Sequence, residues 1–211
     1  MIDRKKYKLY LLYFLVLVYF SGAIGFVLNP SFFLPFTPFT LLYTSIVFLL
    51  FQPIQKSKYL IAFFSIALIG FVFEVIGVAT GKIFGEYHYG HALGYQVLNV
   101  PLTISINWAL LVSCAVLISS VVTTNRYLVS LLSAILVTSI DLLIEQVAPS
   151  LDFWRFKGGL AGIHNYIGWL VLSFFMSFLF SGILLRGDKK PAIFIVILQL
   201  FFFAFIYLFG I

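Results

Sequence analysis

Charge is what this chain has least of. Asp, Glu, Lys and Arg together make up 9% of its 211 residues, against roughly a quarter in a water-soluble domain. That deficit excludes a polar shell, so lipid is the solvent for most of the surface, and 63% of the residues are hydrophobic. Acid is scarcer than base: seven Asp and Glu stand against thirteen Lys and Arg. The bases fall in short clusters between apolar runs, which the positive-inside rule explains better than nucleic-acid binding does. A single cysteine, Cys114, lies inside an apolar run and excludes an internal disulfide. No small-residue cleavage site follows the first apolar run, so that run is read as a retained helix. Neither an internal repeat nor a low-complexity linker divides the chain, and one domain over 1–211 is predicted.

What is present is length of apolar sequence. Runs at 9–28, 36–51, 59–78, 101–122, 127–147, 166–185 and 191–210 predict an all-α, polytopic transmembrane bundle of about seven helices, each close to the length that spans a bilayer. Pro101 and Pro191 sit at helix starts, where the missing N–H costs nothing. With the N-terminus in the cytoplasm, the inner segments hold Arg4, Lys5, Lys6, Lys8, Lys56, Lys58, Arg126, Arg186, Lys189 and Lys190. The outer segments hold only Lys82, Arg155 and Lys157. That bias predicts a multi-pass protein of the inner cell membrane. Among the acids only Asp3 and Asp188 then belong to the inner side, so the chemistry is expected at the non-cytoplasmic face.

Two helices carry intramembrane carboxyls. In the third, Gly70, Glu74 and Gly77, with Gly81 beyond, share one face. Small residues beside a carboxyl let a neighbouring helix approach and enclose it. In the fifth, Ala134, Thr138, Asp141, Glu145 and Ala148 form a stripe at four-three-four-three spacing. Each ionised carboxyl costs roughly 2.5–3.5 kcal/mol near the bilayer centre, and like charges one turn apart disfavour each other. At least one of Glu74, Asp141 and Glu145 is therefore expected to keep its proton and serve as a donor. The plainer alternative pairs these carboxyls with Arg155, Lys157 or Lys82 to hold helix ends together.

Two outer loops flank these helices. The first, residues 80–94, is rich in Gly and aromatics and suits a re-entrant or surface-lying segment. Its Glu86, His88 and His91 match no metal-ligand template, so no metal is assigned. The second runs from Pro149 to Tyr166 and contains Trp154, with Asn165 and Trp169 one turn apart at the start of the sixth helix. These residues read either as an interfacial belt with a capping Asn or as an aromatic wall around a pocket. Asn107, near the outer start of the fourth helix, faces the same side.

These segments resemble a known family. Glu74-x-x-Gly77-x-x-Thr80-Gly81-x-x-Phe84-Gly85-x-Tyr87-x-Tyr89, then Leu93-Gly94, Val100-Pro101 and Trp108, is similar to the carotenoid biosynthesis membrane proteins of the CruF type. So is Asp141-x-x-x-Glu145-x-x-Ala148 followed by Trp154 and Asn165-Tyr166-x-x-Trp169. The chain departs from the family at Gln146, where proline is usual, and at Gly162-Ile163-His164, where a Pro-x-Gln turn is usual.

The resemblance implies a cofactor-free hydratase. It would add water across the terminal double bond of an acyclic carotenoid such as lycopene or γ-carotene and give a tertiary alcohol. It also implies a polyene substrate, surrounding lipid, and other enzymes of the same pathway as partners. On that reading Glu74, Asp141 and Glu145 are catalytic, and Tyr87, Tyr89, Asn107, Trp108, Trp154, Asn165 and Trp169 bind substrate. Protonating a trisubstituted alkene needs a water-shielded acid, aromatic faces stabilise the resulting cation, and a second carboxylate deprotonates the attacking water.

An end-group cyclase or isomerase would share the first step and add no oxygen. A proton-coupled transporter also uses intramembrane carboxyls, although its ionisable residues should cross the whole bilayer, and these stop at one face. A scaffold in a pigment-assembly complex would have no need of the polar cluster. A retinal photoreceptor is excluded because residues 191–210 contain no lysine for a Schiff base.

Overall fold

The computed structural model describes residues 4–52 and 56–210; Asp3 lies outside them, as do the side chains of Arg4, Lys5 and Lys56. Helices α1 (Arg4–Leu28), α2 (Pro30–Phe33), α3 (Thr37–Phe51), α4 (Lys56–Thr80), α5 (Leu102–Ser119), α6 (Arg126–Glu145), α7 (Ile163–Leu184) and α8 (Lys189–Phe209) account for most of the chain. The short α2 and a 3-10 turn at Leu34–Phe36 lead into α3, so that Pro30–Phe51 acts as one span and seven spans result. Pro30 opens α2 as its first residue, and the Asn29 side chain accepts the Phe32 N–H at 3.3 Å.

The helix α5 is the hub. Fifteen of its eighteen residues are buried, and α3, α4, α6, α7 and α8 all pack around it. The other long helices bury one stripe and turn Leu, Ile and Phe outward, as a helix solvated by lipid does. The α6–α7 contact is the most extensive in the molecule. Small buried residues accompany it: Ser130, Ser133 and Ala134 on α6, and Ser173, Ser177 and Ser181 on α7. Side chains this short let two backbones come close in lipid.

The first loop contains regular backbone. It forms strand β1 (Tyr87–Tyr89), which pairs antiparallel with β4 (Trp154–Phe156) of the second loop in the register Tyr87↔Phe156, His88↔Arg155, Tyr89↔Trp154. A hairpin of β2 (Gln96–Val97) and β3 (Val100–Pro101) follows. Its turn residues Leu98 and Asn99 both have positive φ, as a tight two-residue turn between right-twisted strands requires. The loops are tied further by the Gly90 N–H to Phe153 O at 2.9 Å and the His91 N–H to Asp152 Oδ2 at 2.8 Å. Gly81 is not on the carboxyl face of α4. It follows the helix at φ +65° and caps it, its N–H donating to Gly77 O at 2.8 Å.

Candidate active site

A strand alternates its side chains between two faces, and this periodicity builds the roof of the site. Tyr87 and Tyr89 point inward while His88 stays exposed; on the partner strand Trp154 and Phe156 point inward while Arg155 stays exposed. Both tyrosine hydroxyls reach one atom, donating to Glu74 Oε2 at 2.5 and 2.7 Å. The other carboxyl oxygen, Oε1, accepts the Trp108 indole N–H at 2.8 Å. Glu74 is 2% exposed and has three donors and, among the described residues, no basic partner. Burial and the adjacent Glu74 carboxyl push the Tyr87 and Tyr89 hydroxyls above the ordinary phenol range, so both remain protonated donors.

The glycines of α4 make this geometry possible. A Cβ on Gly70 would lie 2.7 Å from Trp108 Cγ, and one on Gly77 would lie 2.6 Å from Phe84 Cδ2. The indole thus lies against the backbone one turn below Glu74, with Phe84 one turn above. Trp108 in turn stacks on Trp169 of α7, with centroids 3.8 Å apart and planes at 13°.

The second carboxyl group is a pair. Asp141 is fully buried and Glu145 half-buried, and the Asn165 Nδ2 donates to both, at 3.0 Å to Asp141 Oδ2 and 3.0 Å to Glu145 Oε1. Asn165 is therefore no cap: Gly162 occupies that position, and Asn165 sits within the first turn of α7 with its amide turned into the bundle. Asp141 Oδ1 is buried without a hydrogen-bond partner. Trp154 lines the same cavity as Glu145.

Glu74 and Glu145 face a common cavity of about 10 Å³, walled by Phe84, Tyr87, Tyr89, Ile104, Trp154, Phe156, Asn165 and Trp169. That is room for one water molecule. Ile104 and Trp154 also form part of the wall of a second, far larger chamber of about 520 Å³.

The sequence-predicted residues thus gather about one centre, with one exception. Asn107 lines the large chamber rather than the small one. Among the described residues no basic side chain pairs with the three carboxyls: the salt bridge there joins exposed Lys157 to Glu86 at 2.6 Å, and Arg155 donates to Pro149 O at 3.0 Å. Among the described residues no three His, Cys, Asp or Glu side chains cluster as metal ligands. Phe84, Phe156 and Ile104 also wall the cavity but were not among the predicted site residues. The alternation Tyr-His-Tyr against Trp-Arg-Phe was the available signal for Phe156; Ile104 carries none.

Comparison with known proteins adds three findings. The family described as Carotenoid biosynthesis protein matches residues 36–210. A curated relative named bisanhydrobacterioruberin hydratase, from Haloarcula japonica, is 29% identical over 164 residues, covering 72% of this chain and 55% of the relative. The chain thus spans about half the length of that relative. No solved structure matches.

Proposed function

This chain belongs to the carotenoid biosynthesis protein family, and from that premise we propose that it is a carotenoid hydratase, adding water across the terminal double bond of an acyclic end group. The observation that carries the reading is the unequal hydrogen bonding of the carboxyls around a water-sized cavity. Glu74 accepts from three donors and is the group equipped to carry negative charge. Asp141 and Glu145 each accept only one bond, both from the Asn165 amide nitrogen. Two carboxyls so close in a dry site are best satisfied by holding one proton between them.

The reaction follows from that asymmetry. The Asp141–Glu145 pair gives its proton to the less substituted carbon of the alkene, forming a C–H bond and leaving a tertiary cation. The faces of Trp154, Trp169 and Tyr87 and the charge on Glu74 stabilise the cation. Water in the cavity then forms the C–O bond and loses a proton to Glu74. Because Glu74 and Glu145 line the same cavity, a water there can return that proton to the pair. Substrate gains one H₂O, and the acid and base are restored. With ten of thirteen bases at the opposite end of the spans, this reading sets the site toward the non-cytoplasmic face of the inner cell membrane.

The test is pigment analysis in a host that makes lycopene or γ-carotene. Wild type should yield product heavier by one water, whereas Glu74→Gln, Asp141→Asn and Glu145→Gln should each lower it by at least about a hundredfold, the scale of a lost general acid or base. Full turnover in all three variants, or product of unchanged mass, would refute the proposal; the latter indicates a cyclase or isomerase.

A further inference from the structure

Glu74 takes two of its three donors from strand β1, so the site depends on a ribbon of three residue pairs. A two-stranded ribbon so short is marginal by itself. Its register matters as much as its presence. Side chains alternate across a strand, so a slip of one residue along β1 would turn His88 toward Glu74 and carry both tyrosines away. The register therefore needs fixing from outside the three pairs. At the Phe156 end the Lys157 N–H donates to Glu86 O at 3.0 Å, and the Lys157–Glu86 salt bridge there is exposed and adds little.

The Tyr89 end is held by more. Just past Tyr89, the Gly90 N–H donates to Phe153 O at 2.9 Å, and the next two N–H groups both go to Asp152. His91 donates to its carboxylate Oδ2 at 2.8 Å, and Ala92 to its backbone O at 3.4 Å. Asp152 meets them with φ at +52°, a region that few residues other than glycine adopt and that Asp tolerates better than most. A Cβ on Gly90 would overlap Asp152 O and Oδ1, so the two loops meet there with no side chain between them. Gln96 Nε2 donates to Gly90 O at 2.6 Å and ties the β2–β3 hairpin to the same joint. Unfavourable backbone persists where the surroundings over-determine it, and it clusters around functional sites. The chemistry above makes no use of Asp152, and this half-buried residue lines neither cavity.

We propose that Asp152 is a positioning residue: by accepting the His91 N–H, its carboxylate fixes the register of β1 on β4, and so sets Tyr87 and Tyr89 on Glu74 and Trp154 in the cavity wall. It acts only through those three side chains. The inference rests on the hydratase reading for its product measurement and on the ribbon geometry for everything else.

The experiment counts ionised tyrosines in the full chain in detergent, by phenolate absorbance at about pH 11, above the ordinary phenol value of about 10. Tyr87 and Tyr89 of wild type stay protonated there. Asp152→Ala and Asp152→Gly should each release both hydroxyls and add them to the count. Each should also lower hydrated product per folded protein by about tenfold, the worth of one hydrogen bond to a charged group. Asp152→Asn keeps an acceptor and tolerates the same φ, so it should hold the wild-type count and stay within about twofold in product. In a chain with both tyrosines replaced by Phe, Asp152→Gly should add no phenolate. Glycine adopts positive φ freely, so Asp152→Gly reports the lost acceptor even where Asp152→Ala does not fold. A wild-type count in Asp152→Gly, or an Asp152→Asn variant as impaired as Asp152→Gly, would overturn the inference. The two proposals fail separately. Tyrosines released in Asp152→Gly, with no hydrated product from wild type, would sink the hydratase reading alone; hydration by a wild type whose Asp152→Gly variant keeps both tyrosines protonated would sink this one alone.

Discussion

The two cavities that meet at Trp154 differ in nearly every physical respect. One is about 10 Å³, roofed by a two-stranded ribbon, and Glu74, Tyr87, Tyr89, Glu145 and Asn165 in its wall are joined by hydrogen bonds. The other is about 520 Å³, open at its side and walled mainly by aromatic and aliphatic side chains, with Asn107, Thr37 and Gln199 among them. The small one holds its groups by directional bonds, so its geometry tolerates little. The large one holds its occupant by area, so its wall can change in detail without loss.

Breaking that contrast calls for small changes on both sides. The largest effect after the amide substitutions is expected from Gly70→Ala. The new methyl would overlap Trp108 and drive the indole off Glu74 and off its stack with Trp169, costing about 1–3 kcal/mol of stability and most of the product; thermal unfolding in detergent and pigment yield report the two. Trp108→Phe keeps the ring but removes the N–H, leaving Glu74 Oε1 without its donor. About a tenfold loss of product is expected, with a smaller loss of stability than for Gly70→Ala.

A pH series gives a subtler measure. The raised Tyr87 and Tyr89 values mean that the folded chain holds two protons which an unfolded chain loses near pH 10. Their contribution to stability is complete below pH 10 and falls as pH rises from there toward the folded-state values. Replacing both with Phe should flatten the fall in stability above pH 10, as read by unfolding midpoints; an unaltered slope would contradict the burial argument. The smallest effect belongs to the large chamber. Val18→Leu adds one methylene beside open space and should leave product within about twofold and stability within about 0.5 kcal/mol.

The same contrast explains what the sequence made legible. Glu74, Asp141, Glu145 and Asn165 stand out because a polar side chain in an apolar run is expensive and must have a partner; their helices could be aligned from spacing alone. The seven spans were legible for the same reason, through the scarcity of charge. The ribbon was not, because three-residue strands are fixed by pairing across 65 residues and more of chain, as between Tyr89 and Trp154, and carry too little pattern of their own. Nor was the large chamber. A Phe facing lipid and a Phe facing a cavity have the same composition, so α1, α3 and α8 read only as apolar. Gln199 was the one signal in the last span, the single amide in residues 191–210, and it passed unremarked beside the carboxyls.

The order in which the chain is made gives the ribbon one more consequence. Tyr87, Tyr89 and Trp108 follow Glu74 by 13, 15 and 34 residues, and Asn165 follows Asp141 by 24. Each carboxyl therefore leaves the ribosome and reaches the bilayer ahead of its partners, where an ionised group is costly. A glutamine at position 74 has no charge to shed, so Glu74→Gln should reach the membrane at least as abundantly as the native chain while making no product, and dead protein should accumulate more readily than live.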